Sequence, residues 1–323
     1  MPLSEFSLIA RYFAAHQLQR SDVVLGIGDD CALLQPSTDQ QLAITVDTLV
    51  AGVHFLADAE PEGLGHKVLA VNLSDLAAMG ATPAWVTLAL TLPEVSDGWL
   101  EAFCRGLFAL ADRYGVQLVG GDTTHGSTLV ITLQAHGFVP PGQALRRDGA
   151  KPGDELYVTG TVGDAGLALA AAFGKATVAA GHEAYIRARL ERPEPRLVAG
   201  QALRGIASAA IDISDGLAQD LGHILERSRF GAQVEVEQLP LSSALRASLD
   251  QEAAVVAALT SGDDYELCFA VPPERSLQLK AIAAEWEYRC TRIGVVTAEP
   301  GLRLIRADGS ALHLERLGYD HFG

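Results

Sequence analysis

Leu69-Ala70-Val71-Asn72-Leu73-Ser74-Asp75-Leu76-Ala77-Ala78-Met79-Gly80-Ala81 is apolar on nearly every side of a helical wheel. Helices of that kind are buried. The stretch forms the second half of a long helix expected over 63–79, and Asp75 is its anomaly. An unpartnered buried carboxylate is costly, so it is hydrogen-bonded, protonated or bound to a metal. Asn72, three residues earlier, shares its face. A hydrogen-bonded Asp would satisfy this helix taken alone. What favours a metal is recurrence, because short Asp-bearing segments beside Gly or at strand boundaries appear throughout the chain.

Gly26-Ile27-Gly28-Asp29-Asp30-Cys31 puts two carboxylates behind a flexible turn. Leu42–Val46 reads as a buried strand running into Asp47. Val116–Val119 reads as another that delivers Gly120, Gly121 and Asp122. Both Asp residues are thereby expected at strand ends, where turn residues and ligands alike collect. Asp212-Ile213-Ser214-Asp215-Gly216 straddles a strand-to-helix junction, where Ser214 and Asp215 are also candidate helix caps. Its spacing does not fit a calcium-binding EF-hand loop. Gly262-Asp263-Asp264-Tyr265-Glu266 makes a sixth acidic segment.

Between these segments, strand and helix patterns alternate. An amphipathic helix is expected over 3–18, a strand over 85–92 ended by Pro93, a helix over 96–114 capped by Ser96, and a strand over 129–139. The polar, turn-rich run 146–154 marks a domain boundary, giving domains 1–145 and 146–323. Strands over 156–161, 209–213, 233–236, 266–271, 291–296 and 302–305 follow, with helices over 164–173, 217–228 and 276–287. The segment between 236 and 266 reads as irregular. The fold class is therefore α/β (α+β).

The chain has 323 residues, 49% of them apolar, and a formal net charge of −16. No basic patch stands out, so neither nucleic acid nor an anionic membrane is expected as a partner. No apolar run reaches membrane-spanning length and no signal peptide is read. The four cysteines never pair as Cys-x-x-Cys, which suits a cytoplasmic protein with buried, reduced thiols. All-oxygen ligands favour Mg²⁺ or Ca²⁺ over zinc. Mg²⁺ is commonly shared between carboxylates and substrate phosphates, which points to phosphoryl transfer. A phosphate-binding P-loop, a dinucleotide fingerprint, a protein-kinase signature set, a Gly-x-Ser-x-Gly elbow and a His-Glu-x-x-His motif are all missing.

The motifs in their order resemble the thiamine-monophosphate kinase family. Those motifs are Gly26–Ala32, Val46–Phe55, Leu69–Ala81, Val119–Thr124, Gly149–Asp154, Ile211–Leu217, Gly262–Leu267 and the tail 318–322. The resemblance covers nearly the whole chain and implies the two-domain aminoimidazole-ribonucleotide-synthetase-like fold. It also implies a homodimer whose N-terminal domains pair their sheets across a two-fold axis, and a C-terminal domain that completes the active-site cleft. The implied reaction is direct transfer of the ATP γ-phosphate to thiamine phosphate, assisted by several Mg²⁺ ions. Implied Mg²⁺ ligands are Asp30, Thr45, Val46 through its carbonyl, Asp47, Asp75, Asp122, Asp212 and Asp215. Implied ATP contacts are Tyr114, Gly121, Asp122, Arg147 and Ser214; implied thiamine phosphate contacts are His54, Asp263 and Tyr319. Beyond the metal cage no catalytic side chain is implied. Two rivals remain open on the sequence. One is a sister enzyme such as selenophosphate synthetase, which would want a reactive Cys among the first 30 residues, where none occurs. The other is a non-catalytic cation- or nucleotide-binding regulator.

Overall fold

The computed structural model describes residues 5–16 and 18–320, apart from the side chains of Glu5 and Phe6. Its contacts divide the chain into two compact units. The first takes in the described part of Met1–Leu76 together with Ala81–Gly142; the second takes in Ala77–Gly80 and Gln143–Gly323 as far as it is described.

The first unit is built on a four-stranded sheet ordered Gln41–Val50, Val130–Val139, Thr82–Leu92, Gln117–His125. The last two strands are parallel, which requires a crossover, and helix Asp97–Tyr114 supplies it. Ser96 caps that helix by accepting from Trp99 N–H at 3.4 Å. Helix Pro61–Ala78 buries Val68, Leu69, Leu73 and Leu76. On the sheet, Ile131, Leu133, Val86, Leu88 and Leu90 are buried in step with one face. On the edge strand the alternation is inverted. Leu42, Ile44 and Val46 are 43%, 56% and 55% exposed, so an apolar stripe faces outward. A small hairpin, Val23–Leu25 with Leu33–Leu34, packs against Trp85, Val119 and Phe138. Asp22 fastens it by accepting from Trp85 Nε1 at 3.0 Å.

The second unit holds a seven-stranded sheet. Its order is Ala311–Leu312, Gly301–Ile305, Gly231–Glu235, Cys290–Thr297, Glu155–Thr159, Leu267–Val271, Ala209–Asp212. All neighbours are antiparallel except the Gly301–Ile305 and Gly231–Glu235 pair. Asp212 thus ends an edge strand.

Four sequence expectations change. The N-terminal helix is an α-turn, Glu5–Leu8, running into a π-helical turn, Ile9–Phe13, and goes no further; residues 3, 4 and 17 of that reading lie outside the described residues. Asp47 and Asp122 lie inside strands rather than at their ends, because the pairing of 41–50 and of 117–125 continues past both. The segment expected to be irregular contains helices Ser243–Ser248 and Gln251–Thr260, capped by Ser242 and Asp250. Cys31 is exposed in its loop; Cys104 and Cys268 are buried, and burial pushes the Cys104 thiol up to about 12. Among the described residues no helix is long and apolar enough to cross a membrane.

Candidate active site

In the first unit the structure brings together Thr45, Asp47 and Asp75. Thr45 and Asp47 are two apart on one strand, so they share a face. The Thr45 hydroxyl donates to Asp75 Oδ2. Burial, and then the Asp75 charge, push Asp47 up to about 7. Asp75 is half-buried rather than buried. Its helix buries the flanking Ser74 and Leu76, but position 75 meets the strand where Thr45 and Asp47 are themselves half-exposed. Asn72, expected beside it, is fully buried and donates to the Val68 carbonyl at 3.0 Å. Val46 points its side chain to the outward stripe, so its main chain is what it can offer a ligand.

Asp30, Gly121 and Asp122 share a second location in the same unit. They line a cleft of about 610 Å³ together with Gly28, Asp29 and Gly120. Gly121 is required here: a Cβ would lie 1.9 Å from the Leu88 carbonyl oxygen, and its φ is +155°. Asp122 pairs with Ala89, which pairs with Thr132, itself opposite Thr48. It is therefore one residue out of step with Asp47 and on the other face of the sheet. Tyr114 ends helix Asp97–Tyr114, half-exposed, with the Arg113 guanidinium over its ring at 5.1 Å. His54 is in the turn after Gln41–Val50, and its Nδ1 accepts from Val50 N–H at 3.0 Å.

In the second unit Asp212, Ser214 and Asp215 lie along the turn from the edge strand into helix Leu217–Ser228. Neither Ser214 nor Asp215 caps that helix. Asp220 organises the turn instead, its Oδ2 accepting from the N–H groups of Ser214, Asp215 and Gly216 at 3.0, 3.0 and 3.1 Å. The carbonyls of the turn are used as well. Ser214 accepts from Asp263 N–H at 2.8 Å, and Asp215 accepts from Tyr319 N–H at 2.9 Å. Asp263 and Tyr319, far apart in sequence, are thus fastened to adjacent residues. Arg147 is exposed, with its carbonyl accepting from the Ser228 hydroxyl at 2.9 Å.

The 262–266 segment divides its residues by role. Asp263 and Tyr265 adopt left-handed φ values of 67° and 50°, a conformation that costs a non-glycine residue roughly 1–2 kcal/mol. The alternate residues are anchored in the interior. Asp264 accepts from Gly163 N–H at 2.6 Å. Glu266 accepts from Arg196 Nε and Nη2 at 2.6 and 2.5 Å, from Arg189 Nη2 at 3.0 Å and from Thr159 at 2.7 Å. Asp264 and Glu266 are therefore structural, and of the three acids in this segment Asp263 alone is half-exposed.

Burial pushes Asp264 up to about 8, against the opposing pull of Arg189. Unfolded, the group ionises near its ordinary 3.8. Between those values the folded chain holds a proton that the unfolded chain has lost, so stability falls as pH rises from about 4 to about 8. Thermal melts should show a Tm that declines between pH 6 and 9 in the wild type. The decline should be smaller in Asp264→Asn, which keeps an oxygen for Gly163 N–H. Equal slopes would remove Asp264 as the cause.

Residues 28–139 and 151–307 match the N-terminal and C-terminal domains of AIR synthase related proteins. With its two sheets and its acidic turns, the chain is a member of that class. It is 53% identical to the thiamine-monophosphate kinase of Salmonella typhimurium, over 100% of this chain and 99% of that one. It superposes on the thiamine-monophosphate kinase of Stenotrophomonas maltophilia with a TM-score of 0.87 at 49% identity, covering 97% and 99% of the two chains. AaThiL complexed with AMPPCP and TMP is similar as well, with a TM-score of 0.78 at 31% identity and coverage of 98% and 97%. The chain belongs to the thiamine-monophosphate kinase family.

Proposed function

We propose that this protein transfers the γ-phosphate of ATP directly to thiamine phosphate, yielding thiamine diphosphate and ADP in thiamine diphosphate biosynthesis. Full-length membership of the thiamine-monophosphate kinase family carries this reading, and the complex of AaThiL with AMPPCP and TMP supports it.

The acidic residues suit Mg²⁺. Every assigned donor is a hard oxygen. Burial, and then the Asp75 charge, raise Asp47 to about 7, and a divalent cation bound there would offset that cost. In the first unit Asp30, Thr45, the Val46 carbonyl, Asp47, Asp75 and Asp122 are the assigned ligands; in the second, Asp212 and Asp215. Bound as several ions, Mg²⁺ would supply charge neutralisation on the phosphate oxygens for an in-line transfer. Tyr114, Gly121, Asp122, Arg147 and Ser214 contact ATP, with Arg147 supplying a permanent cation for phosphate. His54, Asp263 and Tyr319 contact thiamine phosphate, Tyr319 by laying its ring on the cationic thiazolium. No side-chain base is assigned, because a phosphate monoester oxygen is already ionised near neutral pH.

The outward stripe of Leu42, Ile44 and Val46 supports a homodimer closed through this sheet, since a long apolar edge left open invites association. A monomer mass in sedimentation would overturn the dimer. Unpaired cysteines support a reducing, cytoplasmic setting. Purified protein given ATP, MgCl₂ and thiamine phosphate should produce thiamine diphosphate and ADP in equal amounts by chromatography. A folded, metal-replete sample that makes neither would refute the proposal.

A further inference from the structure

After strand Ala311–Leu312 the described chain forms no further regular element, yet its end is docked with care. Tyr319 N–H donates to the Asp215 carbonyl at 2.9 Å. Gln219 Nε2 donates to the Tyr319 carbonyl at 2.9 Å. One tail residue is therefore held through both its backbone groups, as a paired strand residue would be. The same Gln219 amide lies 3.4 Å from Asp215 Oδ2. Gly318 permits the approach, because a Cβ there would fall 2.6 Å from the Asp215 carbonyl oxygen and 2.7 Å from Gln219 Oε1.

The support beneath this contact is rigid. Gln219 is on the first turn of helix Leu217–Ser228, and the Asp220 carboxylate next to it fixes the three preceding N–H groups. Tyr319 is 46% exposed, so its backbone is anchored while part of the residue still faces solvent. An aromatic outside any helix or strand would otherwise lose considerable freedom on gripping a ligand, and prior placement removes that cost.

We propose that Gln219 is a positioning residue for the phosphate acceptor, holding Tyr319 where its ring meets thiamine phosphate. This rests on the assignment of Tyr319 to thiamine phosphate made above. Gln219 touches no reacting atom; it acts through the Tyr319 carbonyl. Its second contact, with the Asp215 carboxylate, offers a competing route through the metal side, and kinetics separate the two.

Gln219→Ala, Tyr319→Ala and the double variant are assayed beside the wild type, and amide hydrogen exchange at Tyr319 is followed. In Gln219→Ala the KM for thiamine phosphate should rise by about tenfold, the size of effect one lost hydrogen bond produces. The KM for ATP and the Mg²⁺ requirement should not move, and the Tyr319 amide should exchange faster. In the Tyr319→Ala background, removing Gln219 should add nothing. A rise confined to ATP or Mg²⁺, additive losses in the double variant, or unaltered KM and exchange would each overturn the proposal. A wild type that forms no thiamine diphosphate would instead refute the underlying reaction, and exchange would still decide whether Gln219 holds the tail.

Discussion

Asp75→Asn is expected to yield a folded protein whose kcat has fallen by about 10³, roughly 4 kcal/mol of barrier. Asp47 and Asp75 face one another closely enough that Asp75 helps push Asp47 up to about 7. Replacing Asp75 by a neutral isostere relieves that repulsion. Its oxygen still accepts from the Thr45 hydroxyl, so the helix-to-strand contact is kept. Stability should hold or rise slightly, and Tm should confirm it. What is lost is a full negative charge at a site assigned to Mg²⁺, and with it the neutralisation of phosphate oxygens that such an ion provides. Tm and kcat should therefore move independently. An Asp75→Asn protein turning over like the wild type would strip Asp75 of its role. One that fails to fold would show the carboxylate to be structural instead.

Much of this site was legible because a charge in an apolar helix is conspicuous. Asp75 announces itself against Leu73, Leu76 and Ala77. Asp47 and Asp122 were visible as candidates but misplaced, since strand length is settled by pairing with Val130–Val139 and Thr82–Leu92 rather than by local pattern. Gly120-Gly121 looks like a turn in sequence. In the fold both residues continue a strand, and at Gly121 only glycine tolerates the neighbouring Leu88 carbonyl. Asp220 left a faint signal as an acid in the first turn of a helix opened by glycine, a place where carboxylates commonly satisfy N–H groups. Gln219 left none, since its partner Tyr319 is 100 residues away. The Gly-Asp-Asp-Tyr-Glu segment shows the limit most plainly. Its acidity suggests ligands throughout, but Arg189 and Arg196, 77 and 70 residues distant from Glu266, convert the last residue into an interior anchor.

That anchor carries the largest expected loss of stability, from Arg196→Met. Glu266 is fully buried, and Arg196 grips it with two hydrogen bonds while lying 4.0 Å from the centre of the Tyr288 ring. Methionine fills comparable space and removes both donors. Arg189 Nη2 and the Thr159 hydroxyl remain on Glu266, yet a buried carboxylate stripped of its bidentate partner should cost about 3–5 kcal/mol. Urea unfolding should show this as a lower midpoint at unchanged slope. Arg196→Met combined with Glu266→Gln should recover a substantial part of the loss, because the penalty resides in the stranded charge rather than in the missing contact. A function-specific consequence accompanies it. Glu266 follows Asp263 and Tyr265, whose left-handed backbone persists only while its surroundings enforce it. Loosening Glu266 lets Asp263, proposed above as a thiamine phosphate contact, relax, so KM for thiamine phosphate should rise at temperatures where the variant is still folded, with KM for ATP little changed. A single variant within about 1 kcal/mol of wild type, the range of an exposed ion pair, would mean that the cluster neither holds the fold nor the strained segment.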